Sequence, residues 1–474
     1  MLRSGKQSWL GDAGVAGRGS ARSGIGTGAA IMGQGRFGRR AVTRRSFIAT
    51  SVGALALTAG GGLRGRGAAA QDVQIVDPDD GTRVSTLGEA AFPVFVPETE
   101  HTVSGIFLDY WRATGADTVF GNPVSEPFTT ADDRYLQVFE RAVLEYRPEF
   151  LWTVDPFVRL LPAAKALLAR DPGALSLSGR RMLGGANRDR MWAPVDASAV
   201  DPVDPNVLYV AETEHTVRGA FLDWYREHEG DFYLGAPLSE AFDEDDGRAQ
   251  WFECGKLVET ADGAELARLG PELAKRLNVP TAGVEQGGAA TFDETLFWTA
   301  PSPFALTDPV ATGRKHIHVD ITNQALQAFQ GGSVAMDTLI STGLWPNKTE
   351  VGRFRVRYKS PSEDMRGATD SAGHVVWVSG DGGKPPAGSI PYGVPDVPSV
   401  MYVNLDAEAL HGAYWHHNFG HTMSHGCINQ PLDVAAFMYG WAPLGTPVTV
   451  FLQPGHVYPG SESGIPASEG PSGS

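Results

Sequence analysis

Nineteen residues near the C-terminal end, His411 to Asn429 (HGAYWHHNFGHTMSHGCIN), hold five histidines and one cysteine. A thiol attacks carbon only as thiolate. Its ordinary pKa of about 8.5 leaves it mostly protonated at neutral pH, so a nucleophilic cysteine needs an imidazole within hydrogen-bond reach. Cys427 has such partners close in sequence, whereas Cys254 has none. His425 stands two residues before Cys427, and in an extended segment that spacing projects both side chains to one face; His411 has to be brought there by the fold. Gly426 lets the backbone approach a substrate, and the amides of Gly426 and Cys427 are expected to stabilise a tetrahedral oxyanion. Two other uses of these residues stay open. His411, His416, His417, His421 and Cys427 are zinc-type ligands, although no HExxH or CxxC spacing is present; neither metal nor cofactor is expected. A disulfide between Cys254 and Cys427 is the structural alternative for a chain outside the cytoplasm. Taken singly, His416, His417 and His421 read as rim or hydrogen-bonded structural histidines.

The elements that must carry this stretch have a period of two. Ile317, Val319 and Ile321 alternate with His316, His318 and Asp320, and Phe354, Val356 and Tyr358 alternate with Arg353, Arg355, Arg357 and Lys359, the pattern of half-buried strands. Gln324–Gln330 and Ser333–Ser341 flank Gly331-Gly332 and read as a hairpin. Further strands are expected at His374–Val378, Val400–Asn404 and Pro447–Leu452, with one helix over Leu432–Gly440. Residues 293–455 therefore read as a mostly-β domain, entered through a linker at 281–292 and followed by a disordered tail at 456–474.

Upstream the chain repeats itself. ETEHTVSGIFLDYW (Glu98–Trp111) returns as ETEHTVRGAFLDWY (Glu212–Tyr225), and FGNPVSEPF (Phe120–Phe128) as LGAPLSEAF (Leu234–Phe242), at an offset of 114; Gln137, Phe139 and Glu140 match Gln250, Phe252 and Glu253 at 113. A fixed offset over such a length implies two copies of one small fold. The copies are placed at 91–175 and 206–280, with a connector at 176–205. Each is expected to be α+β: a short helix from Gly105 or Gly219, a strand pair over Tyr135–Tyr146 or Gln250–Glu259, and a closing helix over Arg159–Leu168 or Arg268–Leu277. The Gly-x-Pro turn, its following Ser-Glu and the Gln-x-Phe-Glu element resemble LGFP-type repeats of secreted bacterial cell-wall proteins. That resemblance implies a wall or glycan anchor with Tyr110, Trp111, Trp224 and Tyr225 as stacking groups; the alternative is that these rings fill the cores of small units. His101 and His215 read as hydrogen-bonded turn residues.

Residues 1–70 hold eleven Lys and Arg against Asp12 alone, leaving 28 basic and 54 acidic residues, a charge of −26, on the remainder. Such a surface offers no basis for binding nucleic acid or anionic lipid. Thr43-Arg44-Arg45-Ser46-Phe47-Ile48, an apolar segment to Leu63 and Ala68-Ala69-Ala70 form the ordered parts of a twin-arginine export signal, with Met1 or Met32 as start and a linker over 71–90. No later run reaches the length of a membrane span, so an extracytoplasmic place, cell wall or periplasm, is expected.

The reactive stretch resembles the L,D-transpeptidase (YkuD-type) catalytic domain: His411-Gly412, a spacer, then Ser424-His425-Gly426-Cys427-Ile428-Asn429. HVDITNQALQAFQGG (from His318) is similar to that family's opening hairpin, and TEVGRF (Thr349–Phe354) stands at its Thr-Pro-Thr-Gly turn. The resemblance implies a secreted peptidoglycan acyltransferase with Cys427 as nucleophile, His411 as general base oriented by the Gly412 carbonyl, and His425 and Gly426 shaping the site. Ser424, Asn429, Gly412, Trp415, Tyr392 and Met401 are implied as substrate-binding groups. Ala413, where Thr or Ser is frequent, and Glu350-Val351 depart from the family pattern. The expected partners are peptidoglycan stem peptides, as donor and acceptor, and the expected product is a 3→3 cross-link formed through a thioester. L,D-carboxypeptidase activity on stem tetrapeptides, or wall binding with a lapsed centre, are the alternatives.

Overall fold

The computed structural model describes residues 92–151, 153, 156–162, 191–244, 247–298, 313–381 and 383–461, together with the backbone of 74–76 and 83–85. The expected export signal lies outside the described residues. Within the stretch read as a linker, Gln74–Val76 and Arg83–Ser85 pair as antiparallel strands. Among the described residues no helix is long and apolar enough to cross a membrane.

The two copies are built alike. Each opens with a hairpin, Val94–Val96 with His101–Val103 and Val207–Val210 with His215–Arg218. A nine-residue helix follows, α1 (Gly105–Ala113) or α2 (Gly219–Glu227), and then a four-stranded antiparallel sheet. The Gly-x-Pro motif has a steric reason: Gly121 and Gly235 sit at φ +74° and +72°, and a Cβ there would fall 2.6 and 2.5 Å from Glu140 and Glu253. Those glutamates accept the following amides, of Asn122 at 3.0 Å and Ala236 at 3.3 Å. His101 and His215 lie 3.3 and 3.2 Å from Glu126 and Glu240, the glutamates of the Ser-Glu pairs.

The repeat aromatics are core. Tyr110 and Trp111 are each 1% exposed, and Trp224 and Tyr225 7% and 8%, so none offers a face for a sugar to stack upon. The closing helix expected at Arg159–Leu168 is corrected at its start: Val158–Leu160 is a strand paired with Val143–Tyr146, its β-branched and apolar residues completing the sheet; residues from 163 lie outside the described part. In the second copy Gly270–Leu277 is the helix α3.

The linker expected at 281–292 is not a free hinge. Ala290 and Thr291 pair in parallel with Val94 and Phe95, and Val284 N donates to Glu100 O at 2.8 Å, so the segment returns to the first copy and extends its hairpin.

The remaining residues form two five-stranded sheets. The first runs β3–β2–β1–β10–β4, from β1 (Lys315–Asp320), β2 (Ala325–Gln330), β3 (Ser333–Leu339), β4 (Gly352–Arg355) and β10 (Pro447–Phe451). The second runs β6–β5–β7–β8–β9, from β5 (Tyr358–Thr369), β6 (Val375–Val378), β7 (Ile390–Tyr402), β8 (Ala409–Gly412) and β9 (Ile428–Gln430). Ile317, Val319 and Ile321 are fully buried while His316 and His318 face outward, as period-two alternation requires. Helix α4 (Leu432–Trp441) buries Val434, Ala435, Phe437, Met438, Tyr439 and Trp441; apolar on nearly every side, it has to sit inside, where each large side chain contributes roughly 1.5–3 kcal/mol. The chain is thus mostly β, and its large core runs without a break from the repeats into the C-terminal sheets.

Charged groups cross the same junction. Arg112 of α1 donates to Glu294 at 2.7 and 3.1 Å, and Lys315 of β1 pairs with that carboxylate and donates to Trp441 O at 2.7 Å. Burial pushes the Lys315 ammonium down to about 7; burial works against Glu294 ionising, yet Arg112 and Lys315 hold it below the usual carboxylate range. From the second copy, Glu229 accepts Arg355 at 2.7 Å and pairs with Arg314.

Candidate active site

The two sheets meet where the reactive stretch lies. β8 supplies His411 and β9 leads away from Cys427, and the two strands pair in parallel, Leu410 with Ile428, His411 with Asn429 and Gly412 with Gln430. Paired residues share a face and so do residues two apart. His411 and Asn429 therefore project to one side, and Cys427 stands in the bend that leads into β9.

His411 is 2% exposed, and its Nδ1 stands 3.1 Å from the Gly412 carbonyl. A carbonyl accepts only, so Nδ1 carries the proton and Nε2 is left as a base. Burial, aided by nearby His416 and opposed by that carbonyl, pushes the His411 pKa down to about 4. Cys427 is half-buried against Val397, Val400 and Ala409, its sulfur 3.8 Å from Ala407 O. Burial pushes the thiol up to about 12, Glu408 and Glu363 add to the rise, and the Ala409 amide opposes it. At rest the pair is neutral thiol and neutral imidazole. Cys254 and Cys427 are both free, with no disulfide between them, and no cluster of three or more His, Cys, Asp or Glu that could hold a metal occurs among the described residues.

The segment before Cys427 is a bend, not a strand. Gly426 takes φ +129°, so the expectation that His425 and Cys427 share a face by extended spacing does not hold. His425 is exposed on one side and stacks on Tyr392 at 4.3 Å on the other, and this cover lowers its pKa through desolvation. Ser424 Oγ donates to Cys427 O at 2.5 Å and accepts Gly426 N at 3.2 Å. Ser424, expected to touch substrate, instead closes the bend and is 9% exposed. It also occupies the Gly426 amide, leaving the Cys427 N–H without an acceptor among the described residues.

The bend is fastened from the first sheet. The Ser424 and Met423 amides donate to Thr342 O, Leu344 N donates to Ser424 O, and Ser341 and Asn429 exchange backbone bonds at 2.8 and 3.0 Å. Thr349 Oγ1 donates to Gly426 O at 2.7 Å, and the Tyr458 hydroxyl accepts Thr349 N at 2.9 Å and donates to Gly343 O at 2.7 Å. Tyr458, placed by the sequence in a disordered tail, is 6% exposed. Beneath the bend Glu408, 8% exposed, accepts Glu350 N at 3.0 Å and Asn404 Nδ2 at 2.8 Å; burial pushes its carboxyl up to about 8.

Of the other expected substrate groups, Trp415 is 40% exposed and lies over His411 at 5.8 Å. Tyr392 borders a cavity of about 250 Å³ with Asp364, Arg366, Gly393, Val394 and Pro395. Met401 is corrected: it is fully buried in the core on β7, paired with Leu410, where unbranched apolar side chains fill space. Gly412 is corrected too. A Cβ there would meet Pro398 at 3.0 Å and Leu432 at 3.1 Å, so it is closed to a substrate and serves through its carbonyl. Sequence reasoning missed Glu408 and Tyr458, which carry no motif; their signal is a polar or aromatic residue in an otherwise featureless loop.

Residues 314–450 match the family model of the L,D-transpeptidase catalytic domain, YkuD. Similar solved structures include the catalytic domain of an L,D-transpeptidase from E. faecium, with 29% identity over 29% of this chain and 96% of that one, TM-score 0.23. An L,D-transpeptidase from Mycobacterium smegmatis shows 22% identity over 30% and 62%, TM-score 0.23. L,D-transpeptidase 3 from Mycobacterium tuberculosis shows 19% over 30% and 64%, TM-score 0.24. The chain spans less than two thirds of these mycobacterial proteins. No curated protein matches it.

Proposed function

We propose that this chain, carrying an L,D-transpeptidase catalytic domain over residues 314–450, is an exported cysteine acyltransferase that forms 3→3 cross-links between peptidoglycan stems. The observation that supports the reading is a buried His411 whose Nδ1 faces the Gly412 carbonyl, leaving Nε2 as a base, on the strand paired with the one that leads away from Cys427. Cys427 Sγ gives its proton to His411 Nε2 as the sulfur bonds to the carbonyl carbon of the third stem residue. The oxyanion collapses, the bond to the terminal D-alanine breaks, and His411 returns the proton to the leaving amine. An amine of a neighbouring stem then attacks the thioester, loses a proton to His411 and releases the thiol. With a thiol near 12 and an imidazole near 4, little thiolate stands free, so proton transfer accompanies attack.

The twin-arginine signal over residues 1–70 accounts for delivery to the wall. Incubating the mature protein and its Cys427→Ala variant with tetrapeptide-stem muropeptides tests the reaction by mass spectrometry. Cross-linked dimers with D-alanine release from the wild type alone are expected. Trimmed tripeptides without dimers would make water the acceptor, and release by the variant would remove Cys427 from the mechanism.

A further inference from the structure

β7 is not a regular strand. Along β5 its register slips between Glu363, which faces Val397, and Met365, which faces Val394, so that Pro395 and Asp396 together oppose Asp364 alone. Two residues against one make a β-bulge, which bends a strand and re-aims the side chains beyond it. The cause is local. Pro395 has no N–H to give the ladder, and Asp396 takes φ +49°, a conformation that short polar side chains tolerate. The polar groups released from the ladder are taken up by side chains. Asp396 N donates to Asp364 Oδ1 at 3.0 Å, and Pro395 O accepts the hydroxyl of Tyr414 at 2.7 Å.

Beyond the bulge β7 carries Tyr392, whose ring lies flat on His425 at 4.3 Å and 11°. Burial pushes the Tyr392 phenol up to about 12, and the charge of nearby Cys427 adds to the rise. Tyr392 and Pro395 line the same cavity of about 250 Å³, so the bulge and the stacked ring belong to one wall beside the thiol.

Tyr414 reaches that wall from the other one. It follows β8, and its ring meets Trp415 edge-on at 5.1 Å, while Trp415 lies over His411 at 5.8 Å. Tyr414 and Trp415 are 44% and 40% exposed; no core fixes these rings, and their places depend on such contacts. A single side chain therefore touches the cover of His411 with its ring and the bulge that aims Tyr392 with its hydroxyl.

We propose that Tyr414 is a positioning residue that ties the two walls of the reactive cleft together: its ring steadies Trp415 over His411, and its hydroxyl fixes the β7 bulge and with it Tyr392 over His425. The kinetic consequence rests on the cysteine acyl-transfer reading, whereas the tie is a property of the resting protein. Since Tyr414 touches neither Cys427 nor the His411 nitrogens, loosening the tie costs substrate affinity and spares the chemical step.

The test uses the full chain, with proton NMR of the His425 ring, which a stacked Tyr392 shifts by its ring current, and D-alanine release from a tetrapeptide-stem muropeptide for kcat and KM. Tyr414→Phe removes one oxygen and keeps the ring. It is expected to move the His425 resonances toward those of an unstacked histidine, to raise KM about three- to tenfold, the worth of one hydrogen bond, and to leave kcat within about twofold. Tyr414→Leu, which removes the ring as well, is expected to raise KM further and to move the Trp415 indole resonance. Unmoved His425 resonances or a wild-type KM in Tyr414→Phe, a loss carried by kcat, or a Leu variant no worse than the Phe variant would each overturn the assignment. Release of D-alanine by Cys427→Ala would instead sink the underlying reaction and leave the resonance result standing.

Discussion

Glu408 lies beneath Gly426: a methyl group at 426 would come within 3.3 Å of Glu408 Oε1. Since burial pushes that carboxyl up to about 8, the folded chain holds its proton more tightly than the unfolded chain does. Stability from this group is full below the ordinary glutamate pKa near 4.5 and declines as pH rises through about 8, with a slope of at most roughly 1.4 kcal/mol per unit. Glu408→Gln should flatten that part of the curve in urea titrations run from pH 5 to 9. Its charge also raises the Cys427 thiol, so the variant's alkylation midpoint should fall; an unmoved midpoint would separate Glu408 from the thiol.

As the proposed base, His411 must be neutral to accept the thiol proton, and its pKa near 4 places the acidic limb of kcat/KM well below neutrality. Activity should be level through pH 6–8 and fall as pH drops through about 4, provided the fold persists. His411→Ala should cost about 10²–10⁴-fold in kcat/KM and, because it empties a buried position and leaves the Gly412 carbonyl unpaired, should also lower the melting temperature. An acidic limb near 6.5 would mean that the base is a solvated histidine.

Tyr458→Phe removes one hydroxyl and with it the bonds to Thr349 N and Gly343 O. Two buried groups are left unpaired, at about 1–3 kcal/mol each. Denaturant unfolding should show the loss, and carbapenem acylation of Cys427 should slow because Thr349 also holds the Gly426 carbonyl. Unchanged acylation would show that the bend needs no support from this side.

Glu294 joins Arg112 and Lys315 at the junction of the first copy with β1. Glu294→Gln leaves two buried cations facing a neutral amide and should destabilise by about 3–5 kcal/mol. Because the core is continuous across the junction, calorimetry of the wild type should give one transition for the repeats and the C-terminal sheets together. Two well-separated transitions would contradict that coupling.

Much of the scaffold was legible because it obeys short-range rules. The alternation around Ile317 and the hairpin at Gly331-Gly332 needed only strand period and turn chemistry, and α4 only its apolar text. Cys427 and His411 stood out in the sequence as the candidate pair, and the β8–β9 pairing that brings their two segments side by side did not. What stayed hidden was long-range. Met401 reads the same whether it lines a pocket or fills a core, and only burial separates the two. His425 was misjudged because the positive φ of Gly426 bends a segment whose residues suit a strand. Tyr458 sits in Pro- and Gly-rich text that resembles a tail, and its hydroxyl's partners Thr349 and Gly343 lie more than a hundred residues upstream in chain order.

That last contact sets the order in which a growing chain acquires its reactive centre. Cys427 leaves the ribosome before Tyr458, so the thiol exists for a time without the hydroxyl that fastens Thr349 and Gly343 around it. A nascent chain halted after β10 would contain both Cys427 and His411 and still lack the clasp that holds the bend in shape. The bend that carries Cys427 therefore gains its full set of hydrogen bonds only once Tyr458 has been added, a dependence that lies in the connectivity of the chain.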